Sequence, residues 1–532
     1  MPKVNIDGED IEVAAGTTIL QAALTRGREI PHYCYHDGLS IAGNCRMCLV
    51  EVEKAPKLVI GCYTPVAEGM VVHTASAKVK QARSAMMEFF LINHPLDCPI
   101  CDQAGECRLQ EYAVDHGTGV SRYTEPKLAL SKAVDIGRHV MLDQERCIQC
   151  SRCIRFCDEV THTGELGFFE RGERSQIGIF PGKRLDNAYS GNVVDLCPVG
   201  ALTLKDFRFK TRVWYLKNTP TICAGCSRGC NVVVSVGQQQ TMMTTRGQID
   251  DRVKRIVPRV NEEVNAHWIC DEGRMSYVSE QKAVRLDSSQ VEGGEAPYDA
   301  AIAAAAARLS AAAKAGKLGL VASPRTLCED LFVWNELVSG LGGATRGVRS
   351  LVAGVDDALL VRADKGANTK GAAWILGATA KEADVLAAIA AGSVTTLLVL
   401  GDTLDPKDTL ELPGSGAAKI DVVFVGPFVS GAARSAAVAL PSASWSEADG
   451  TYVNFEGRVQ RVRRCHLPLH DARPGWRIAA DVAEAAGVAG LVFASADEVF
   501  ASLANRVRAF ESLTVSALGL LGVPAPAAVA GA

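Results

Sequence analysis

Sixteen of the chain's eighteen cysteines lie before residue 271, and they fall into four separable groups of closely spaced donors. A thiolate is a soft anionic ligand that suits iron, and four donors at short, loop-like spacing can enclose a cluster without distorting the backbone. Each group has the ligand count and spacing of an iron-sulfur cluster, so this part of the chain is expected to carry single electrons. The opening stretch MPKVNIDGEDIEVAAGTTIL has no basic segment followed by an apolar one, so no secretory signal is expected and the cytoplasm is the expected setting. The reducing poise there disfavours disulfides and leaves metal ligation as the better reading of dense cysteine pairs. A formal net charge of -4 without a long basic run gives no reason to expect a nucleic-acid surface.

Composition changes near residue 275. Before it the chain is rich in Cys, Arg, Gly and short turns; after it Ala, Val and Leu dominate, with only Cys328 and Cys465. A length of 532 residues allows roughly three or four domains. The metal-rich part has few long apolar periods, so ligand bonds are expected to replace part of the core that a small module cannot build. The longest apolar stretch, Val385 to Gly401, is broken by Gly392, Ser393, Thr395 and Thr396. It reads as a helix end, a turn and a buried strand rather than a membrane span, so any membrane association is expected to come through partners.

Val4 to Gly8 and Ile11 to Val13 form two short strands around an Asp-Gly hairpin signal. Thr17 or Thr18 then caps a helix carrying Ile19, Leu20, Ala23 and Leu24, an order that suits a β-grasp fold. Cys34, Cys45, Cys48 and Cys62 follow, spaced x10, x2 and x13. Gly38 and Gly43 let the first loop bend over a cluster, and the spacing is a longer variant of the plant-type C-x4-C ferredoxin pattern. A zinc site is the alternative, which the β-grasp context disfavours. The apolar helical stretch 85–93 leads into His94, Cys98, Cys101 and Cys107, spaced x3, x2 and x5. Three cysteines need a fourth donor and no other cysteine lies within twenty residues, so His94 is the expected ligand. A neutral imidazole removes one negative charge relative to a thiolate, which by itself favours reduction.

RCIQCSRCIRFC places Cys147, Cys150, Cys153 and Cys157 close to the bacterial run C-x2-C-x2-C-x3-C-P. No further cysteines lie between 158 and 196 to build a second cluster, and Cys197 is followed by Pro198. Cys147, Cys150, Cys153 and Cys197 are therefore expected to bind one 4Fe-4S cluster, with Cys157 a buried spare thiol. Cys223, Cys226 and Cys230, spaced x2 and x3, are followed after x39 by Cys270; a cluster module of molybdopterin oxidoreductases or a zinc ribbon would both suit them. Beyond residue 275, Ala-rich helical stretches such as 299–313 alternate with apolar runs at 318–323, 395–401 and 421–426, an α/β pattern. Gly414-Ser415-Gly416 has no phosphate-loop lysine and reads as a loop.

In this order the motifs resemble the large iron-sulfur subunit (75 kDa type) of bacterial NADH:quinone oxidoreductase, respiratory complex I, closely over residues 1–275. The resemblance implies a 2Fe-2S cluster on Cys34, Cys45, Cys48 and Cys62, and a 4Fe-4S cluster on His94, Cys98, Cys101 and Cys107. It implies a further 4Fe-4S cluster on Cys147, Cys150, Cys153 and Cys197, and an off-path 4Fe-4S site on Cys223, Cys226, Cys230 and Cys270. The segment 439–461 resembles the molybdopterin-oxidoreductase fold, although residues 276–532 are fewer than a molybdenum enzyme of that class has.

The expected fold is multidomain α+β and α/β. It comprises a β-grasp 2Fe-2S ferredoxin domain at 1–78, a 4Fe-4S module with one histidine and three cysteine ligands at 79–125 and a ferredoxin-like 4Fe-4S module at 126–215. A molybdopterin-oxidoreductase-type 4Fe-4S module follows at 216–275, then a truncated molybdopterin-oxidoreductase-like α/β domain at 276–532, acting as a scaffold. The implied role is an electron relay in an ion-translocating respiratory complex, from a flavin subunit toward quinone. No substrate-converting site and no molybdopterin, FMN or NADH are expected on this chain. Implied partners are the flavin/NADH-binding subunit, the small 2Fe-2S subunit and the quinone-side iron-sulfur subunits, on the cytoplasmic side of the bacterial inner membrane. The alternatives are the iron-sulfur subunit of a molybdenum-dependent formate dehydrogenase or NAD-linked hydrogenase, and a zinc-stapled interaction protein.

Overall fold

The Asp-Gly hairpin signal is realised at the first turn of the chain. In the computed structural model, which describes residues 1–237, 252–377, 379–401 and 420–526, Asp7 and Gly8 both take positive φ, 50° and 90°. The turn folds Lys3–Ile6 back antiparallel on Glu9–Glu12. Lys3–Ile6 also pairs parallel with Met70–His73, which is followed in the sheet by Leu49–Val52 and Val59–Ile60. A parallel pair needs a crossover, and the helix Ile19–Leu24 lies within it. Gln21 settles where that helix begins, because Thr18 accepts from the Gln21 backbone while the Gln21 side chain accepts from Thr18. Such a capping box replaces two unpaired helix-end donors, and its Ser or Thr cap alone contributes about 1 kcal/mol. Val4, Ile6, Ile19, Leu20, Val50 and Val72 form the core, into which Cys48 and Cys62 are built.

The chain divides into two compact units, Met1–Leu216 and Lys217–Ala532. In the first, the helix expected over 85–93 begins earlier and spans Ala77–Ile92, capped by Ser76. Its first turns carry Lys78, Lys80, Gln81 and Arg83, which hide the apolar period from a hydrophobicity reading. The helix Arg108–His116 follows. Further along, Val140–Leu142 pairs with Val134–Asp135 and Leu202–Leu204 beside the helices Arg152–Glu159 and Asn192–Leu196.

The second unit begins within a three-stranded sheet of Leu216–Ile222, Asn231–Gly237 and Val253–Pro258, the last two antiparallel, followed by the helix Asp271–Lys282. Among the described residues it then builds a seven-stranded sheet. Val438–Pro441, Asp421–Gly426, Thr396–Leu400, Leu318–Ala322 and Thr345–Val348 run parallel in that order. The expected helix at 299–313 is Tyr298–Lys314, and the three apolar runs are the three central strands. Alternate strand residues serve two faces. Leu320, Leu398 and Val423 face a core shared with the helices Tyr298–Lys314, Cys328–Gly340 and Gly475–Ala486, while Val321, Val399 and Phe424 pack with Val385 and Ile389 of Glu382–Ala390. The stretch Val385 to Gly401 is thus a helix, a turn and a strand, and no described helix is long and apolar enough to cross a membrane. Gly414-Ser415-Gly416 lies outside the described residues.

A pH dependence follows from two carboxyls opening the helix Cys328–Gly340. Glu329 accepts from the Thr451 backbone and hydroxyl, and Asp330 accepts from the Trp476 backbone. Burial pushes Glu329 up to about 8 and Asp330 up to about 7. Both folded values exceed the unfolded carboxyl value of about 4, so the fold favours the neutral forms. The associated stability is fully present below the unfolded value and is lost as pH rises through the folded ones. The melting temperature of the full chain, followed by circular dichroism, should therefore fall as pH rises from roughly 4 to 8 and level off above that. Glu329→Gln, which stays neutral, should remove much of that slope; an unchanged slope would contradict the assignment.

Candidate metal centres

Strand pairing brings the first cysteine group together. Cys48 immediately precedes Leu49–Val52, Cys62 follows Val59–Ile60, and Gly61 N-H donates to the Cys48 carbonyl at 2.9 Å. The long loop between Cys34 and Cys45 turns at Gly43, where φ is 61°. All four cysteines are buried. Cys34 is held well below the usual thiol range because the Cys45 and Cys62 thiols donate to it; Cys45 and Cys62 are pushed up correspondingly. Tyr33 N-H adds a contact to Cys45 Sγ at 3.4 Å.

The second group lines a small cavity together with Asp97, Arg146 and Gly200: His94, Cys98, Cys101 and Cys107 all face it. His94 directly follows the cap of the long helix, and a single 3-10 turn, Cys98–Ile100, separates Cys98 from Cys101. Cys107 caps Arg108–His116. Cys98 is exposed, whereas Cys101 and Cys107 are buried. The His94 Nδ1 is buried without a hydrogen-bond partner. Burial, then the charges of Lys127 and Arg146, lower this imidazole to about 4, so it is neutral and has a lone pair to donate. Gly200 completes the cradle: a Cβ there would lie 2.1 Å from Cys101 Sγ.

The third group, Cys147, Cys150, Cys153 and Cys197, likewise lines a small void, among Leu142, Ile177, Val199 and Leu202. Gln149 and Ser151 take positive φ, 55° and 62°, and so turn the chain between successive cysteines. Cys197 arrives from about fifty residues away because Leu202 pairs with Leu142 across the small sheet. Cys157 does not line this void. It lies one turn beyond Cys153, and its thiol bonds instead to the Glu165 side chain.

Main-chain contacts join the third site to the other two. Arg155 donates to the carbonyls of Cys34 and Cys150, and Arg152 to those of Tyr35 and Leu196. In the other direction, Cys197 and Val199 line the third void while Gly200 lines the second, and Cys147 and Arg146 are divided in the same way. The sequence reading missed Arg146, Arg155 and Gly200. Their proximity to Cys147, Cys153 and Cys197 in the chain was the available signal, but only tertiary packing gives it meaning.

In the second unit, Cys223 and Cys230 lie at the facing ends of Leu216–Ile222 and Asn231–Gly237, joined by Cys223 N-H to the Cys230 carbonyl at 2.9 Å. Gly225 N-H approaches Cys223 Sγ at 3.4 Å, and Gly273 N-H approaches Cys270 Sγ at 3.3 Å. A Cβ on Gly273 would lie 2.9 Å from Cys223 Sγ and 3.4 Å from Cys270 Sγ, so the remote cysteine has been brought beside the others. Cys328 and Cys465 make other bonds, to the Asn368 side chain and the Arg463 carbonyl. Among the described residues no three His, Cys, Asp or Glu side chains close around a single ion position.

Five domain families match the chain in the order of these groups. A 2Fe-2S iron-sulfur cluster binding domain matches residues 3–77, and the NADH-ubiquinone oxidoreductase-G iron-sulfur binding region matches 83–122. The ferredoxin-like domain of NADH-quinone oxidoreductase subunit 3 matches 137–203, and the NDSU1/NuoG-like 4Fe-4S domain of NADH-ubiquinone oxidoreductase matches 217–278. Molybdopterin oxidoreductase matches 364–485. The G-type NADH-quinone oxidoreductase subunit of Rickettsia felis is 43% identical over 346 residues, 64% of this chain and 49% of that protein. Its counterpart in Rickettsia prowazekii is 46% identical over 277 residues, 52% of this chain and 39% of that protein. The mitochondrial NADH-ubiquinone oxidoreductase 78 kDa subunit of Candida albicans is 42% identical over 348 residues, 64% of this chain and 46% of that protein. The chain spans about half the length of the curated relatives it matches.

Proposed function

Because its amino-terminal part belongs to the family of the large iron-sulfur subunit of NADH-quinone oxidoreductase, we propose that the chain relays electrons from a flavin subunit toward quinone. In this reading Cys34, Cys45, Cys48 and Cys62 hold a 2Fe-2S cluster. Three 4Fe-4S clusters are held by His94 with Cys98, Cys101 and Cys107, by Cys147, Cys150, Cys153 and Cys197, and by Cys223, Cys226, Cys230 and Cys270. The observation that carries the reading is that two complete donor sets surround voids rather than a point, which suits a polynuclear cluster better than a single zinc ion. The orphaned His94 nitrogen supports a ligand role for that residue.

Bound clusters supply one-electron acceptors and donors; the protein supplies position, burial and charge. Arg155 and Arg152 fix the spacing between the first and third groups, and the segment from Cys197 to Gly200 fixes that between the third and second. The ferredoxin-like site is accordingly the middle station. The partners are the flavin/NADH-binding subunit, the small 2Fe-2S subunit and the quinone-side iron-sulfur subunits, on the cytoplasmic face of the bacterial inner membrane.

The fourth group is proposed to brace the second unit instead of conducting. Its loop is gripped by that unit: Ser227 N-H donates to the Asp364 carbonyl, Phe455 N-H to the Ser227 carbonyl, and Gln460 to the Gly229 carbonyl. Closing the loop from Cys223 to Cys270 constrains the unfolded chain. On mixing the assembled complex with NADH, rapid-freeze electron paramagnetic resonance should show the first three sites reduced within a turnover. Cys226→Ala should lower thermal stability while leaving NADH-to-quinone flux near wild type. Reduced flavin with these sites still oxidised would overturn the relay, and a well-assembled Cys226→Ala complex unable to reduce quinone would overturn the bracing role.

A further inference from the structure

We propose that Arg146 is a potential-setting residue for the cluster on His94, Cys98, Cys101 and Cys107, a fixed positive charge that favours its reduced form. The inference rests on the ligand reading above and adds a residue outside the ligand set. Arg146 is 4% exposed and lines the same void as those four donors, and its Cδ lies 3.8 Å from the position a Cβ on Gly200 would occupy. The guanidinium is pinned. Its Nε and Nη2 donate to Asp97 Oδ2 at 3.1 and 2.8 Å, and Nε pairs with Asp143 Oδ2 at 3.2 Å. Lys132 shares the same carboxylates, at 2.6 Å from Asp97 and 3.8 Å from Asp143, and pairs with Glu145 at 2.6 Å.

Guanidinium remains charged at any working pH, so this positive charge does not titrate away. A buried arginine beside three thiol ligands stabilises whichever cluster state is more negative, and reduction adds one negative charge. His94 acts in the same direction by supplying a neutral donor where another site has a thiolate. Together the two residues make this site easier to reduce than a four-cysteine site in the same surroundings. Asp97 opposes them from the same void. The arrangement therefore predicts shifts of opposite sign from two neighbouring residues, an outcome that mere loosening of the fold would not produce. It also predicts selectivity: the backbone continues from Arg146 into Cys147, but the guanidinium faces the second void and does not line the third.

The test is a redox titration of the anaerobically purified full chain, followed by electron paramagnetic resonance and accompanied by iron analysis. Arg146→Met should raise the oxidised-to-reduced ratio of the His-ligated site at a fixed ambient potential by about tenfold, a downward shift of about 59 mV for one electron. Arg146→Lys, which keeps the charge, should recover much of that difference. Asp97→Asn should shift the site upward, and it decides the matter should Arg146→Met fail to fold. The ferredoxin-like site should move much less in every variant. An intact cluster with unchanged potential in Arg146→Met, or a downward shift in Asp97→Asn, overturns the inference. Absence of a four-iron signal from this site in the wild-type chain overturns the ligand reading itself.

Discussion

In the proposed relay, Cys153→Ser is expected to abolish the paramagnetic signal of the ferredoxin-like site and the electron flux through the assembled complex, while Cys157→Ser leaves both in place. The two thiols are one helical turn apart and both are buried, so burial does not distinguish them. Direction does. Cys153 lines the third void with Cys147, Cys150 and Cys197, whereas the Cys157 thiol is bonded to Glu165. Losing a direct ligand should cost more than the roughly hundredfold that loss of a supporting partner can bring at a metal site. A serine at 157 keeps a donor for Glu165 and changes little volume. Equal losses in the two variants would make Cys157 a ligand and remove Cys197 from the set.

Gly200→Ala is expected to empty the cluster site proposed at His94, Cys98, Cys101 and Cys107 while sparing the ferredoxin-like one. A Cβ at 200 would sit 2.1 Å from Cys101 Sγ, far inside van der Waals contact. Cys101 cannot swing aside and still complete the donor set with His94, Cys98 and Cys107. The backbone cannot easily retreat either, because Cys197, Val199, Ala201 and Leu202 line the neighbouring void. Iron analysis should show a loss of about four iron atoms with the third site's spectrum retained. A full iron complement and unchanged spectra would show that the second cluster does not occupy this cradle.

Local chemistry was legible in the sequence and tertiary juxtaposition was not. The Asp7-Gly8 turn, the strands around it, the helix behind Thr18 and the three apolar runs of the large sheet all follow from periodicity and turn chemistry within a few residues. The Cys-x-x-Cys spacings told which donors could act together, and the structure brings each set together, including the remote Cys197 and Cys270. The early start of the helix Ala77–Ile92 escaped notice because its first turns are polar and its cap, Ser76, precedes no apolar stripe. Gly200 and Arg146 escaped because their meaning depends on Cys98 to Cys107 packing against a segment some forty to a hundred residues distant. Arg155 sits inside the run RCIQCSRCIRFC, but only the folded chain brings its guanidinium to the carbonyl of Cys34.

The most direct test of the account is metal and acid-labile sulfide analysis of the full chain purified without oxygen, with a visible spectrum. One 2Fe-2S and three 4Fe-4S clusters predict about fourteen iron atoms per chain, matching sulfide, and the broad absorption of iron-thiolate centres. About ten iron atoms would remove the cluster assigned to Cys223, Cys226, Cys230 and Cys270. A colourless chain with zinc in place of iron would contradict the electron-relay account as a whole.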